Sequence, residues 1–155
     1  MPARVGGSRA RLNVIGVHLY LQREDGKILL GLRHPDSAFA GRTWHFLASH
    51  LETEAAVAGL IREAEEEAGL VIAPEDLELV HTVHMLDEGG DDQPRLGLVF
   101  QARKWSGTPV VREPNRCLEW GWHDPARLPE PIVAYTRAAT EAIGQGRAYT
   151  ELGWP

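Results

Sequence analysis

The spacing of apolar residues changes along this chain, and the changes mark its elements. "LNVIGVHLYL" (12–21) is a nearly unbroken apolar run rich in Val, Ile and Leu, the pattern of a buried strand. Asp25-Gly26 in "REDG" supplies a hairpin turn, and "KILLGLR" (27–33) is the returning strand. The loop "HPDSAFAGRT" (34–43) leads to "WHFLASHLE" (44–52), whose apolar and aromatic residues predict short strand segments. From Thr53 the period lengthens. Ala56, Leu60, Ala64 and Ala68 recur at i+4 with Val57 and Ile61 beside them, so one face of a helix is apolar. Thr53 is its expected N-cap, Glu54 lies in the first turn and Gly69 is the stop. Pro74 prevents an early restart. Strands follow at "LELVHTVHML" (77–86), "RLGLVFQARKW" (95–105) and "CLEWGWH" (117–123), separated by loops at 87–94 and 106–116. "IVAYTRAATEAIGQG" (132–146) closes the pattern as a helix.

Strands, a helix, more strands and a second helix make an α/β (α+β) domain, a mixed sheet sandwiched between helices. We place it at residues 12–146, after a flexible leader (1–11) and before a C-terminal tail (147–155). The 155 residues suit one domain with its own core. A net charge of −6 with dispersed arginines argues against a nucleic-acid polymer as partner. A small anionic substrate is compatible, provided a divalent cation stands between it and the carboxylates. The single cysteine, Cys117, excludes an internal disulfide and fits a reducing, cytoplasmic setting. No apolar run approaches the roughly 18 residues of a membrane span, and the N-terminus lacks a signal peptide's apolar core. No membrane partner is expected.

Candidate chemistry is concentrated in "GLIREAEEEAGL" (59–70). On a helix, Glu63, Glu66 and Glu67 project together, while Glu65 is displaced by about 200° from Glu63 and faces solvent. Three like charges repel unless a cation joins them, and hard oxygen donors suit Mg²⁺ or Mn²⁺. Arg62 reaches Glu66 at i+4. Taken alone, the cluster is a weak signal and reads better as an ordinary solvated acidic face.

The surrounding spacing resembles the Nudix box, G-x5-E-x7-R-E-U-x-E-E-x-G-U, with U a bulky apolar residue. Seven residues separate Glu54 from Arg62-Glu63, Ala64 takes the U place, and Glu66-Glu67, Gly69 and Leu70 follow in register. "GKILLGLR", "WHFL" and "CLEWGWHDPARLPEP" are similar to landmarks of that family, so the resemblance covers about residues 12–145. The box spans 48–70 here, and its opening glycine falls on Ala48. Aligned instead on "LASHLETE", Ser49 replaces the glycine while His50-Leu51-Glu52 keep their places.

The resemblance implies divalent-metal-dependent hydrolysis of a pyrophosphate bond in a nucleoside diphosphate linked to another group, with Mg²⁺ as cofactor and Mn²⁺ as its substitute. It implies Glu63, Glu66 and Glu67 as metal ligands, Glu63 or Glu66 as proton acceptor and Arg62 as their orienter. Glu52, Glu54, His50 and Arg33 are the expected groups beside metal or substrate. Glu113 and Glu119 are candidates for a base outside the box, or else solvated residues. The altered glycine region supports an alternative, a Nudix-fold nucleotide-binding or regulatory protein without turnover. Substrate choice is expected in the loops 34–43, 87–94 and 106–116.

Other residues add less. His81 and His84 are three apart in a strand and face opposite sides, so a zinc site is not expected. His45 and His50 flank the acidic helix, as substrate contacts or as hydrogen-bonded structural residues. Trp44, Trp120 and Trp122 are expected in core or pocket wall. Trp154 is expected over a groove or at the seam of a homodimer, and a base has Tyr20 or a Trp to stack on. Arg33 reaches a phosphate or forms a surface salt bridge.

Overall fold

The computed structural model describes residues 9–86 and 92–155. Most of the expected leader, and most of the 87–94 loop, lie outside the described residues. In chain order the elements are β1 (Val14–Leu21), β2 (Ile28–Arg33), β3 (Trp44–His45), β4 (Leu47–His50), α1 (Ala56–Ala68) and a 3₁₀ turn at Pro74–Asp76. Then come β5 (Glu78–Met85), β6 (Arg95–Ala102), β7 (Cys117–His123), α2 (Ala134–Gly144) and β8 (Tyr149–Leu152).

The strands form two sheets, one ordered β4-β1-β6-β5-β8 and the other β3-β2-β7. The larger is mixed: β1 runs parallel to β6 and β5 to β8, whereas β4–β1 and β5–β6 are antiparallel. Alternation along β1 explains how both faces are covered. Val17, Leu19 and Leu21 meet Leu60, Ala64 and Ala68 of α1, while Tyr20 joins Phe46 and Ala139 of α2 in a second cluster. Each fully buried leucine among them contributes roughly 2 kcal/mol of transfer free energy. The helices therefore cover opposite faces, as the mixed-sheet sandwich requires.

Several boundaries differ from the sequence expectation. Helix α1 starts at Ala56, with Ala55 in the N-cap position and no side-chain cap, so Thr53 does not cap it. Glu54 precedes the first turn, and its carboxylate is engaged by Arg62. Gly69 does end the helix, at φ 71°, its N–H reaching back to the Glu65 carbonyl and that of Leu70 to the Ala64 carbonyl. Strand β6 stops at Ala102, since Ser106 turns away to pair with Val71. The region after α2 contains β8, held by backbone pairing to β5 over Thr82–Met85. Trp154 donates from Nε1 to the His84 carbonyl at 3.0 Å, and its ring lies 4.6 Å from the His84 ring. This tryptophan packs on its own chain.

Candidate active site

Helix α1 carries the acidic cluster, and Arg62 organises part of it. Its Nη2 and Nε donate to Glu54 Oε1 and Oε2 at 2.6 and 3.0 Å. Its Nη1 donates to Glu63 Oε1 and Glu66 Oε2, both at 3.0 Å. One guanidinium thus holds three carboxylates, using the five donors and fixed fork of arginine. Hydrogen bonds from Arg62 hold the Glu54 carboxyl below the usual carboxylate range, and the same contacts raise the arginine's pKa further. Glu63 is buried and Glu66 half-exposed, so the two occupy different depths of one helix face. Glu65 is exposed, as its helical position requires.

Glu67 is different. Its Oε2 is buried without a hydrogen-bond partner among the described residues. Burial pushes its pKa up to about 8, with Glu63, Glu113 and Glu66 adding to the rise and Arg116 opposing it. Glu113 comes from the loop after β6 and also buries an oxygen, Oε1, that no hydrogen bond satisfies, although Arg116 Nη1 lies 3.7 Å away.

That loop is strapped to the end of α1 by its backbone. Ser106 and Val71 exchange hydrogen bonds, Val110 N–H reaches the Ala68 carbonyl at 3.0 Å, and Arg112 Nη1 reaches the Glu65 carbonyl at 3.1 Å. Gly107 permits the contact: at φ 96°, a Cβ there would fall 2.7 Å from the Gly69 oxygen.

Buried, mutually repelling carboxylates with unsatisfied oxygens are the environment that a hard divalent cation relieves. The donors fit such an ion in chemistry. Among the described residues, however, no three His, Cys, Asp or Glu side chains already converge on one point. Arg62 holds Glu63 and Glu66, and it makes no such contact with Glu67 among the described residues.

A cavity of about 670 Å³ opens beside Glu67. Its wall includes Arg33, His45, His50 and Glu52 from the expected set. Among the described residues Arg33 forms no salt bridge: its Nε donates to the Phe39 carbonyl at 2.7 Å and its guanidinium lies 5.6 Å from the Phe39 ring centre. Segments 34–43 and 106–116 supply Phe39 and Arg116 to this wall. Ala48 and Ser49, at the altered glycine positions, lie in β4 and pair with His18 and Val17 of β1. Glu119 is exposed on β7, and Tyr20 is a core residue, 3% exposed. Trp120 lines the cavity, whereas Trp44 packs in the α2-side core and Trp122 stacks on Trp105 at 5.7 Å.

Sequence reasoning did not single out His18, Phe39 or Tyr135, which also line the cavity. His18 was hidden in an apolar strand run. Its one signal is a polar ring among aliphatic residues, two positions after Gly16. Burial lowers the pKa of His18 to about 4 and of His45 to about 3, with the nearby cation Arg33 adding to the effect on His45. Both rings are therefore neutral at pH 7.

Comparisons agree with this architecture. The chain is similar over 84% of its length, and 98% of the other's, to a MutT NUDIX hydrolase from Burkholderia pseudomallei, at 27% identity and a TM-score of 0.73. It shares its fold with the MutT protein from Methanosarcina mazei Go1 (19% identity, TM-score 0.75, 89% and 97% covered). The same holds for the mutator MutT protein from Bacillus halodurans (20% identity, TM-score 0.69, 92% and 91% covered). No curated protein gives a significant match. The model of the NUDIX domain matches residues 12–143. With most of the chain matched, the box in register on α1 and the sandwich built as that family builds it, the chain belongs to the Nudix family.

Proposed function

We propose that the protein is a divalent-metal-dependent pyrophosphohydrolase acting on a nucleoside diphosphate joined to another group. The observation that carries this reading is the Glu67 carboxylate, buried with an unpaired oxygen beside Glu63 and Glu113 and at the edge of the cavity. Glu63, Glu66 and Glu67 are the residues that would hold Mg²⁺ or Mn²⁺, with Glu113 as a further donor from the strapped loop. A divalent cation there supplies the charge neutralisation that lets a diphosphate approach carboxylates which would otherwise repel it.

The chain's own groups account for the rest. Arg62 fixes the rotamers of Glu63 and Glu66 from one side and is itself fixed by Glu54. Glu66, half-exposed, is placed to take a proton from water, and Glu63 is its alternative. Glu113 is a third candidate base from outside the helix. Arg33 and His50 in the cavity wall bear on the substrate's phosphates. The cavity volume is within the range that encloses a small organic ligand. Cys117, buried and free, suits the reducing cytoplasm.

A second reading is a Nudix-fold nucleotide binder without turnover. It is favoured by Ala48 and Ser49 continuing as regular strand at the altered glycine positions, and by Arg62 holding two of the glutamates. Incubation of the protein with a panel of nucleoside diphosphate derivatives, with Mg²⁺, with Mn²⁺ and with chelator, separates the two. Metal-dependent release of phosphate-containing products supports the hydrolase. Ligand-induced thermal stabilisation with no product under any metal condition overturns it in favour of the binder.

A further inference from the structure

A buried imidazole ordinarily finds partners for its ring nitrogens within the fold. His81 does so: Nδ1 lies 2.9 Å from the Arg147 carbonyl and Nε2 lies 2.8 Å from Thr150 Oγ1. His18 and His45 are also buried, at 6% and 8% exposure, yet the Nδ1 of each is buried without a hydrogen-bond partner among the described residues. What separates them from His81 is location. Both lie in the wall of the cavity beside Glu67.

The two rings come from different sheets, His18 from β1 and His45 from β3, and they are close enough to influence each other's charge. The backbone beneath His18 is cut away to fit it. Gly16 and Gly97 face each other across the β1–β6 pair. A Cβ on Gly97 would fall 2.9 Å from His18 Nε2, and one on Gly16 would fall 3.2 Å from it. Tyr135 meets the same ring edge-on at 5.0 Å. A neutral imidazole offers one donor and one acceptor, so the two wall residues bring both kinds of group to the cavity's edge without charge, each Nδ1 lying just beneath the wall. Phe39, Trp120 and Tyr135 add flat apolar surface to the same cavity. Such a wall suits a planar, uncharged heteroaromatic ring with donors and acceptors along its edge.

We propose that His18 and His45 are the specificity-determining pair of the cavity and read the edge of an uncharged nucleobase through their ring nitrogens. The inference rests on the cavity being a nucleotide site, and it names the side chains that select among bases.

The test uses the full chain with ¹⁵N-labelled histidine, titrated separately with adenosine, guanosine, cytidine, uridine and base-free ribose 5-phosphate. At least one nucleoside is expected to move the His18 and His45 ring-nitrogen resonances while His81 stays in place, and ribose 5-phosphate is expected to move neither. H18F and H45F keep a flat ring and lose the nitrogens. Each should flatten the affinity difference between the best and worst nucleoside by on the order of tenfold, because a site built to hydrogen-bond a group loses discrimination without that bond. Should H18F fail to fold, G97A displaces the ring instead, and the wild-type titration stands by itself. The inference is overturned if no nucleoside moves either resonance, or if the variants keep the wild-type ratios. Resonance changes without metal-dependent hydrolysis of any nucleotide would sink the hydrolase reading alone. Hydrolysis with silent His18 and His45 would sink this inference alone.

Discussion

Arg62 and Glu54 are joined by a two-point contact, Nη2 to Oε1 at 2.6 Å and Nε to Oε2 at 3.0 Å, across a bend that precedes the helix. The contact fixes the guanidinium whose remaining nitrogen holds Glu63 and Glu66. In E54Q one side of this arrangement loses its charge, and Arg62 is free to close on the other two glutamates. Affinity for Mn²⁺ should fall by roughly 10- to 100-fold, the usual effect of removing a group that orients metal ligands. Calorimetric titration of Mn²⁺ measures it. Wild-type affinity in E54Q would reduce the contact to a surface ion pair of little consequence.

Gly59 gives a second handle on the same bend. Inside an exposed helix, Gly→Ala ordinarily stabilises by about 1 kcal/mol. Here a Cβ would fall 2.7 Å from Leu51 Cδ2 and 3.1 Å from Glu54 Cγ, so both of these side chains must shift. G59A is therefore expected to show no gain in Tm and a clear loss of turnover. A higher Tm with unchanged turnover would show that the bend yields without disturbing Glu54.

Removing single carboxylates should separate the metal site from the fold. E66Q and E67Q are each expected to lose most metal-dependent turnover while keeping the wild-type circular dichroism spectrum. In E67Q the thermal stabilisation produced by Mn²⁺ should also shrink, and without metal the variant should be no less stable, since it no longer buries an ionisable group among like charges. Full activity in both variants removes these residues from the chemistry.

Acid stability follows from the two cavity histidines. Unfolded, each titrates near 6.5; folded, burial lowers them to about 4 and about 3. The unfolded chain therefore binds more protons as pH falls below 6.5, so stability is full above that value and lost on the way down towards 4. Each group contributes a slope of about 1.4 kcal/mol per pH unit in that window. Urea unfolding between pH 7 and pH 5, which lies above most carboxylate titration, reads it. H18F should show a shallower slope than wild type, and an equal slope would mean that His18 takes up a proton in the folded protein.

The sequence was most readable where local pattern and tertiary role coincide. The run at 12–21 is apolar because β1 is covered on both faces, and the i+4 alanines of α1 are the residues that meet it. The box glutamates were legible for the same reason, since their spacing is helical spacing. Legibility failed where the determining partner is remote. Thr53 resembles a cap, but the helix starts after Ala55 without a side-chain cap, and Glu54 instead reaches Arg62 eight residues on. "YTEL" has no strand signature of its own, and β8 exists through backbone pairing with a strand more than sixty residues earlier. His18 reads as one more residue of a buried strand, because the two glycines that accommodate its ring sit on different strands.

The strap between the 106–116 loop and the end of α1 bears on how portable the box is. Residues 54–70 bring Glu63, Glu66 and Glu67 with their arginine, but a further carboxylate, Glu113, arrives because Gly107 lets a distant loop lie against Gly69. Grafted onto another scaffold, the segment would transfer a pattern and leave part of its charge behind. Conversely, a shortened loop here would leave every residue of the box in place and still alter the field at Glu67. Across sequences that share this pattern, loop length is therefore a separate variable from the motif, and two chains with identical boxes need not present the same number of negative charges to a cation.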